Sequence, residues 1–229
     1  MCSQFSLYSN PNKLAKELGI KIAEDLSSVP EIAFPYSYAP IVLKTNIELL
    51  MKLMSFSLVP AWSAEPRVKF ATHNARLYSF DSKKNKEIPI YEKPTWREAF
   101  KLRHCVVPMS GFIEPIYTNE FAGNMVVFKN TEDEALFAAG IWEEWVNKST
   151  GEVLESFTIL TDEPYPYVLE MGHDRSPVFL KQEDLASWLS LEPKQPQMMI
   201  EFLRAQRLVP QLQTKKLRPL KEGWQKKAE

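Results

Sequence analysis

Cysteine stands at position 2, directly after Met1, and that placement offers chemistry no internal cysteine has. The residue is small, so the methionine before it is of the kind that is removed. Removal leaves a thiol and a free α-amine on one residue. An unperturbed α-amine titrates at about 7.7–8.0, so part of it is unprotonated near neutrality, and the thiolate is a strong nucleophile. Such a 1,2-aminothiol attacks an aldehyde with its amine to give an imine, and its thiol then closes a five-membered thiazolidine on the same carbon. Three polar clusters could serve that reaction: His73-Asn74-Ala75-Arg76, the run from Arg103-His104-Cys105 to Glu114-Pro115, and Gly172-His173-Asp174-Arg175-Ser176-Pro177. Glu114 ends an apolar run, where a carboxyl is desolvated and raised in pKa, which suits proton transfer. His173 sits in a turn before a strand, and histidine passes protons near neutrality. Each also has a plain structural reading: an arbitrary second residue, an exposed strand-end glutamate, a turn histidine with one fixed hydrogen bond.

The elements that must position these residues are mostly strands. Ile41–Lys44 and Leu49–Val59 read as strands around a Thr45-Asn46 turn. Cys105–Pro108, Phe112–Ile116, Met125–Phe128, Leu136–Val146 and Val153–Thr161 are rich in β-branched and aromatic residues. Asn147–Gly151 reads as a hairpin between the last two. Helices are predicted after Asn10-Pro11, from a capping box at Thr95–Glu98 to about Leu102, and over Gln182–Ser190 and Pro196–Arg207; a short one over Glu163–Gly172 is opposed by Pro166. The expected fold is α+β: a single domain over residues 1–229, with a β-rich, barrel-like, mostly antiparallel core and peripheral helices. The stretch from about 208 to 229 reads as a basic C-terminal tail, of the kind usually just solvated.

Composition narrows the functions. The 229 residues hold two cysteines and three histidines, with a formal net charge of −1. Two cysteines exclude a disulfide scaffold and a four-thiolate zinc site. The histidines lie 31 and 69 residues apart, so no metal is expected, and no glycine-rich phosphate loop points to a nucleotide cofactor. Near-zero charge excludes a polybasic coat, so nucleic-acid binding would need a local groove. No apolar run reaches the ~20 residues of a membrane span, and the N-terminus lacks the pattern of a signal peptide. A cytoplasmic chain, nucleoid-associated when bound to DNA, is expected, with no cofactor and acting as a monomer. Cys105 reads as buried and inert, and His73 and His104 as surface or groove residues.

In order, these segments resemble the SOS-response-associated peptidase family of abasic-site processing proteins. The carriers are Met1-Cys2-Ser3-Gln4-Phe5, Ser37-Tyr38-Ala39-Pro40, Phe56-Ser57-Leu58-Val59-Pro60-Ala61-Trp62, Asn74-Ala75-Arg76, Arg103 with Cys105 to Glu114, and His173-Asp174-Arg175-Ser176-Pro177. The resemblance implies binding of single-stranded DNA at an abasic site, whose ring-opened sugar presents an aldehyde, and a covalent thiazolidine through Cys2 once Met1 is gone. It implies a catalytic set of Cys2, Asn74, Glu114 and His173. Asn74 would position the N-terminal residue, Glu114 move protons, and His173 help open the sugar ring. It implies a DNA-binding set of Arg76, Trp62, Arg103, Arg175, Phe56 and Pro40, in which arginines hold phosphate and Trp62 stacks on a base.

The chain departs from the family at Gln4 (arginine), Phe56 and Pro115 (tryptophans), Tyr78 (glutamate), and Ser3 and Ser57 (glycines). Position 4 loses a phosphate contact, and positions 3 and 57 must accept ordinary backbone angles. Two rival functions remain: a cysteine (auto)peptidase acting on Met1 or other peptides, and a non-catalytic module for single-stranded DNA.

Overall fold

The computed structural model describes residues 4–26, 29–132, 134–190 and 195–227. Its strands are β1 (Gln4–Leu7), β2 (Lys21–Ile22), β3 (Ile32–Ala33), β4 (Tyr38–Lys44), β5 (Leu49–Phe56), β6 (Asn74–Arg76), β7 (Tyr78–Asp81), β8 (Lys86–Pro89), β9 (His104–Ile116), β10 (Asn124–Asn130), β11 (Leu136–Val146), β12 (Val153–Asp162), β13 (Ser176–Pro177), β14 (Phe179–Leu180) and β15 (Leu212–Pro219). The helices are α1 (Pro11–Glu17), α2 (Arg97–Leu102), α3 (Pro166–Glu170), α4 (Leu185–Ser190) and α5 (Pro196–Ala205). Among the described residues, no helix is long and apolar enough to cross a membrane.

Five strands close on themselves. β9 pairs β11, β11 pairs β12, β12 pairs β5, β5 pairs β4, and β4 returns to β9 through Val42 and Val106. Within this ring only β12 with β5 is parallel, so the α+β reading holds with a mixed barrel at its centre. The other strands extend the sheet outward.

β9 explains why one sequence run serves two layers. It is buried along almost its whole length, so it reads as a continuous apolar run rather than an alternation. Alternate side chains still point to opposite faces. Val106 joins a core with Ala139, Ile141, Leu160 and Trp188, while Cys105, Val107 and Met109 join one with Leu136, Ala138 and Phe157. The first half of β9 pairs β11; the second half lies between β1 and β10. Gly111 permits the close approach of β10, since a Cβ there would lie 2.3 Å from the Phe128 carbonyl oxygen.

Local expectations fare unevenly. Asn10 caps α1, its side chain accepting from the Lys13 amide at 2.9 Å. The capping box does not form: α2 starts at Arg97 with Trp96 at its N-cap and no side-chain bond there. Trp96 is buried in the core instead. Pro166 is compatible with α3 because it is the first helical residue, where its missing N–H costs nothing. The basic C-terminal stretch is not loose, because β15 pairs the full length of β10. The tail expectation fails because lysine-rich edge strands carry no apolar alternation to announce them.

β5 stops at Phe56 because Ser57 has φ 107°, the left-handed side of backbone space. The expectation of ordinary angles there is corrected: the glycine-like conformation persists although the residue is serine. Such a residue stores about 1–3 kcal/mol of strain. Ser57→Gly is therefore expected to raise stability by about 1 kcal/mol, part of the relief being lost to the greater freedom of glycine in the unfolded chain. Paired thermal melts check this; an unchanged or lower Tm would show that Ser57 is not strained.

Candidate active site and nucleic-acid groove

Glu114 lies on β9 opposite Val126 of β10, one residue from Ile113, which pairs Gln4 of β1. Its exposure is 0%. Burial in this apolar strand disfavours the carboxylate and pushes its pKa up, against the smaller opposing pull of His173 and Arg175. His173 Nε2 lies 3.7 Å from Glu114 Oε2 and 2.9 Å from the Pro115 carbonyl oxygen. A carbonyl only accepts, so Nε2 carries the proton, and in the neutral ring Nδ1 is the acceptor. That Nδ1 is buried and has no hydrogen-bond partner among the described residues.

The turn ahead of His173 depends on Gly172. Its φ is 85°, and a Cβ would meet Thr118 Oγ1 at 2.4 Å. The His173 amide then donates to the Val168 carbonyl, seating the ring at the end of β9.

Asn74 enters from β6, which runs parallel to β12 with Asn74 opposite Ile159. Both polar atoms of its side-chain amide are buried without a hydrogen-bond partner among the described residues. Buried amides are normally paired, so this one presents a donor and an acceptor ready for a group that arrives. Two residues on, Arg76 approaches Asp174 at 3.7 Å, and Arg175 grips the same carboxylate with Nε at 3.1 Å and Nη2 at 3.0 Å. Asp174 thus holds two guanidiniums on one wall. Arg76, Arg175, Asn74, Lys93 and Phe70 line an open groove of about 410 Å³.

Trp62 is 57% exposed, and its indole donates to the Pro94 carbonyl at 3.2 Å. Its loop is pinned a second time by Trp145, which donates to the Ser63 carbonyl at 2.7 Å. An aromatic face is left open to solvent there.

Of the expected site residues, Asn74 and Arg76 of β6 and Arg175 after the glycine turn line one groove. The Glu114–His173 pair adjoins it along the chain through Asp174, which Arg76 approaches. Trp62 does not line it but is bonded to Pro94, between the lining residues Lys93 and Thr95. Three others are not brought to it. Phe56 has no exposed surface; it packs edge-on to Phe5 at 5.0 Å and stacks on Phe157 at 5.3 Å, so the expectation of a DNA contact is corrected to a core role. Pro40 is buried in β4 opposite Leu53, and its expected contact is corrected likewise. Arg103 sits at the far end of β9, ion-paired with the buried Glu143 at 3.1 Å; it does not line the groove. His104 is also corrected, from surface to interior: it lies stacked on Trp188 at 4.1 Å, within hydrogen-bond distance of the Phe100 and Trp188 carbonyls. Cys105 is fully buried, and burial pushes its thiol far above the usual range. Cys2 lies outside the described residues; along the chain it precedes Gln4 by two residues, a span of at most about 7 Å.

Two features escaped sequence reasoning. Lys93 is a single lysine before a proline, without any pattern; it matters because the β7–β8 hairpin folds back beside it. Arg218 of β15 donates to Gln4 Oε1 at 2.7 Å, carrying a guanidinium to the side of Gln4. Among the described residues, no group of three or more histidine, cysteine or acidic side chains could hold a metal ion.

The model of the SOS response associated peptidase (SRAP) family matches residues 1–218. The chain is 24% identical over 211 residues to the abasic site processing protein YoqW of Bacillus subtilis, covering 89% of this chain and 87% of that one. It is 24% identical over 191 residues to the abasic site processing protein HMCES of Pongo abelii, covering 68% of this chain and 51% of that one. Crystal structures of a Bordetella bronchiseptica protein (TM-score 0.71, 19% identity, 95% and 100% of the two chains) and a Bacteroides thetaiotaomicron protein (0.71, 21%, 95% and 92%) share the fold.

Proposed function

The chain belongs to the SOS response associated peptidase (SRAP) family, and we propose on that basis that it processes abasic sites in single-stranded DNA by forming a covalent thiazolidine through Cys2 after loss of Met1. The observation that carries the reading is the buried Glu114–His173 pair beside β1. The names of the relatives support the substrate.

The reaction needs one nucleophile, one acid and one hold on the sugar. The Cys2 α-amine adds to the aldehyde carbon of the ring-opened deoxyribose. Glu114, whose protonated form burial favours, gives its proton to the hydroxyl that leaves as water, and an imine remains. The Cys2 thiolate then adds to the same carbon, and the imine nitrogen takes up a proton. Aldehyde and aminothiol become thiazolidine and water, with no change of oxidation state. His173 Nδ1, buried without a hydrogen-bond partner among the described residues, takes the sugar hydroxyl proton as the ring opens. The side-chain amide of Asn74, without a hydrogen-bond partner among the described residues, supplies an acceptor and a donor to hold the N-terminal residue. Arg76 and Arg175 bind the flanking phosphate, and Trp62 offers a face for stacking.

The test mixes the protein with an abasic-site oligonucleotide and runs a denaturing gel. A heat-resistant shifted band is expected. Its absence from a protein that intact mass shows to lack Met1 overturns the proposal. Strand binding without a band favours a non-catalytic module, and Cys2-dependent cleavage of unrelated peptides favours a peptidase.

A further inference from the structure

The groove of the site does not end at Arg76. A second groove of about 460 Å³ runs along the β7–β8 hairpin, lined by Phe80, Lys83, Lys84 and Ile88, and the two grooves share Ser79 and Lys93. Lys93 is half-buried at this junction, its Nζ donating to Ser79 Oγ and, at 3.5 Å, to the Arg76 carbonyl. An ammonium has three hydrogens, so one donor remains beyond these two bonds. Phe80 is 63% exposed on the hairpin.

We propose that Lys93 seats a phosphodiester at this junction, and that a DNA strand passes over it from the Asn74–Arg76–Arg175 groove to the β7–β8 hairpin, where Phe80 stacks on a flanking base. The proposal rests on the abasic-site reading above and extends its footprint to nucleotides beyond the lesion. Charge favours an anion at this point. The groups that face Lys93 are Arg76 from β6, Arg175 ahead of β13, Asp81, Lys83 and Lys84 from the hairpin, and Glu92 on its own segment. The two carboxylates already have cations of their own, Asp81 with Lys84 at 3.9 Å and Glu92 with Lys86 at 3.8 Å.

The seat has a pH signature that an arginine would lack. Burial first, and Arg76 second, bring the Lys93 amine down to about 8. Below that value it is an ammonium and holds phosphate; as pH rises through it the charge is lost and affinity falls. Bound phosphate favours the charged form and moves the transition somewhat higher.

The experiment measures binding of the full chain to an undamaged single-stranded oligonucleotide by fluorescence anisotropy, over a salt series at pH 7 and pH 9. At pH 7, Lys93→Gln is expected to bind about tenfold more weakly, the scale of one charge-assisted hydrogen bond, and its log–log salt slope to flatten by about 0.7. Wild type is expected to weaken between pH 7 and 9. Lys93→Arg is expected to match wild type at pH 7 and to hold its affinity at pH 9, which no merely structural lysine would produce. Phe80→Ala is expected to bind fivefold or more weakly when the strand is long enough to span both grooves. A Lys93→Gln protein with the wild-type affinity and slope overturns the seat, as does a Lys93→Arg protein that loses affinity with pH as wild type does. If wild type binds the undamaged strand as described yet never crosslinks an abasic one, the catalytic reading fails and the groove stands; if it binds no strand, both fail.

Discussion

Cys2→Ala is expected to remove the heat-resistant complex with abasic DNA altogether, not merely to slow its formation. The thiazolidine carbon is bonded to both nitrogen and sulfur, and alanine keeps only the nitrogen. The variant still has an α-amine once Met1 is removed, so it still forms an imine, which water reverses. Borohydride added during the incubation reduces that imine to a stable amine. The expected pattern is therefore a band from wild type without reductant, none from Cys2→Ala without reductant, and one from Cys2→Ala with it. Each half of the residue is read separately: sulfur sets the permanence of the link, nitrogen its formation. A reductant-independent band from Cys2→Ala, with wild-type yield, would place the nucleophile elsewhere in the chain.

Glu114→Gln is expected to slow crosslinking by about 10²–10⁴-fold, the usual range for a positioned proton donor, while strand binding persists. Glutamine keeps the shape and the hydrogen-bonding oxygen but has no proton to give to the departing water. The same substitution has a stability signature whose sign follows from the raised pKa of Glu114. In the unfolded chain the carboxyl ionises near 4.3; in the fold, ionisation is held back by burial. The contribution of this group is therefore fully present below pH ~4.3 and declines as pH rises towards and through its folded value. Glutamine does not ionise. The melting temperature of Glu114→Gln relative to wild type should climb from pH 4 to pH 8, whatever the offset at pH 4. Unchanged crosslinking would remove Glu114 from the mechanism, and a difference in Tm that does not vary with pH would show that its carboxyl is not held neutral. A residue that lowers stability at working pH while serving chemistry is a common trade in active sites.

The long strands were legible because burial writes itself into composition. β11 and β12 are runs of apolar and β-branched residues, and the Asn147–Gly151 turn between them is marked by asparagine and glycine. Closure of the barrel was not legible in pairing detail: it depends on β4 meeting β9 at a single pair, Val42 with Val106, far apart in sequence. Glu114 and His173 could be picked out because a carboxyl in an apolar run and a histidine after a glycine are local anomalies. Phe56 could not be sorted by the same means, since an aromatic side chain in a core and one on a stacking face are spelled alike. Arg103 shows the same limit for charge: its partner Glu143 lies forty residues away, brought close only by the pairing of β9 with β11. Lys93 owes its altered amine to burial and, second, to Arg76 of β6, not to its neighbours in sequence.

The hydrogen bond from Arg218 to Gln4 joins the two ends of the described chain at one spot. Compared position by position, residue 4 looks like an arginine forfeited. In space a guanidinium stands there all the same, delivered by the last strand rather than the first. This corner is thus built jointly by two residues 214 apart in the chain. Restoring arginine at position 4 would set two like charges against each other, whereas trimming the C-terminal strand would take away the only one that corner has from this pair. Where the N-terminal motif carries glutamine, the fold thus sets a guanidinium from the far end of the chain beside it.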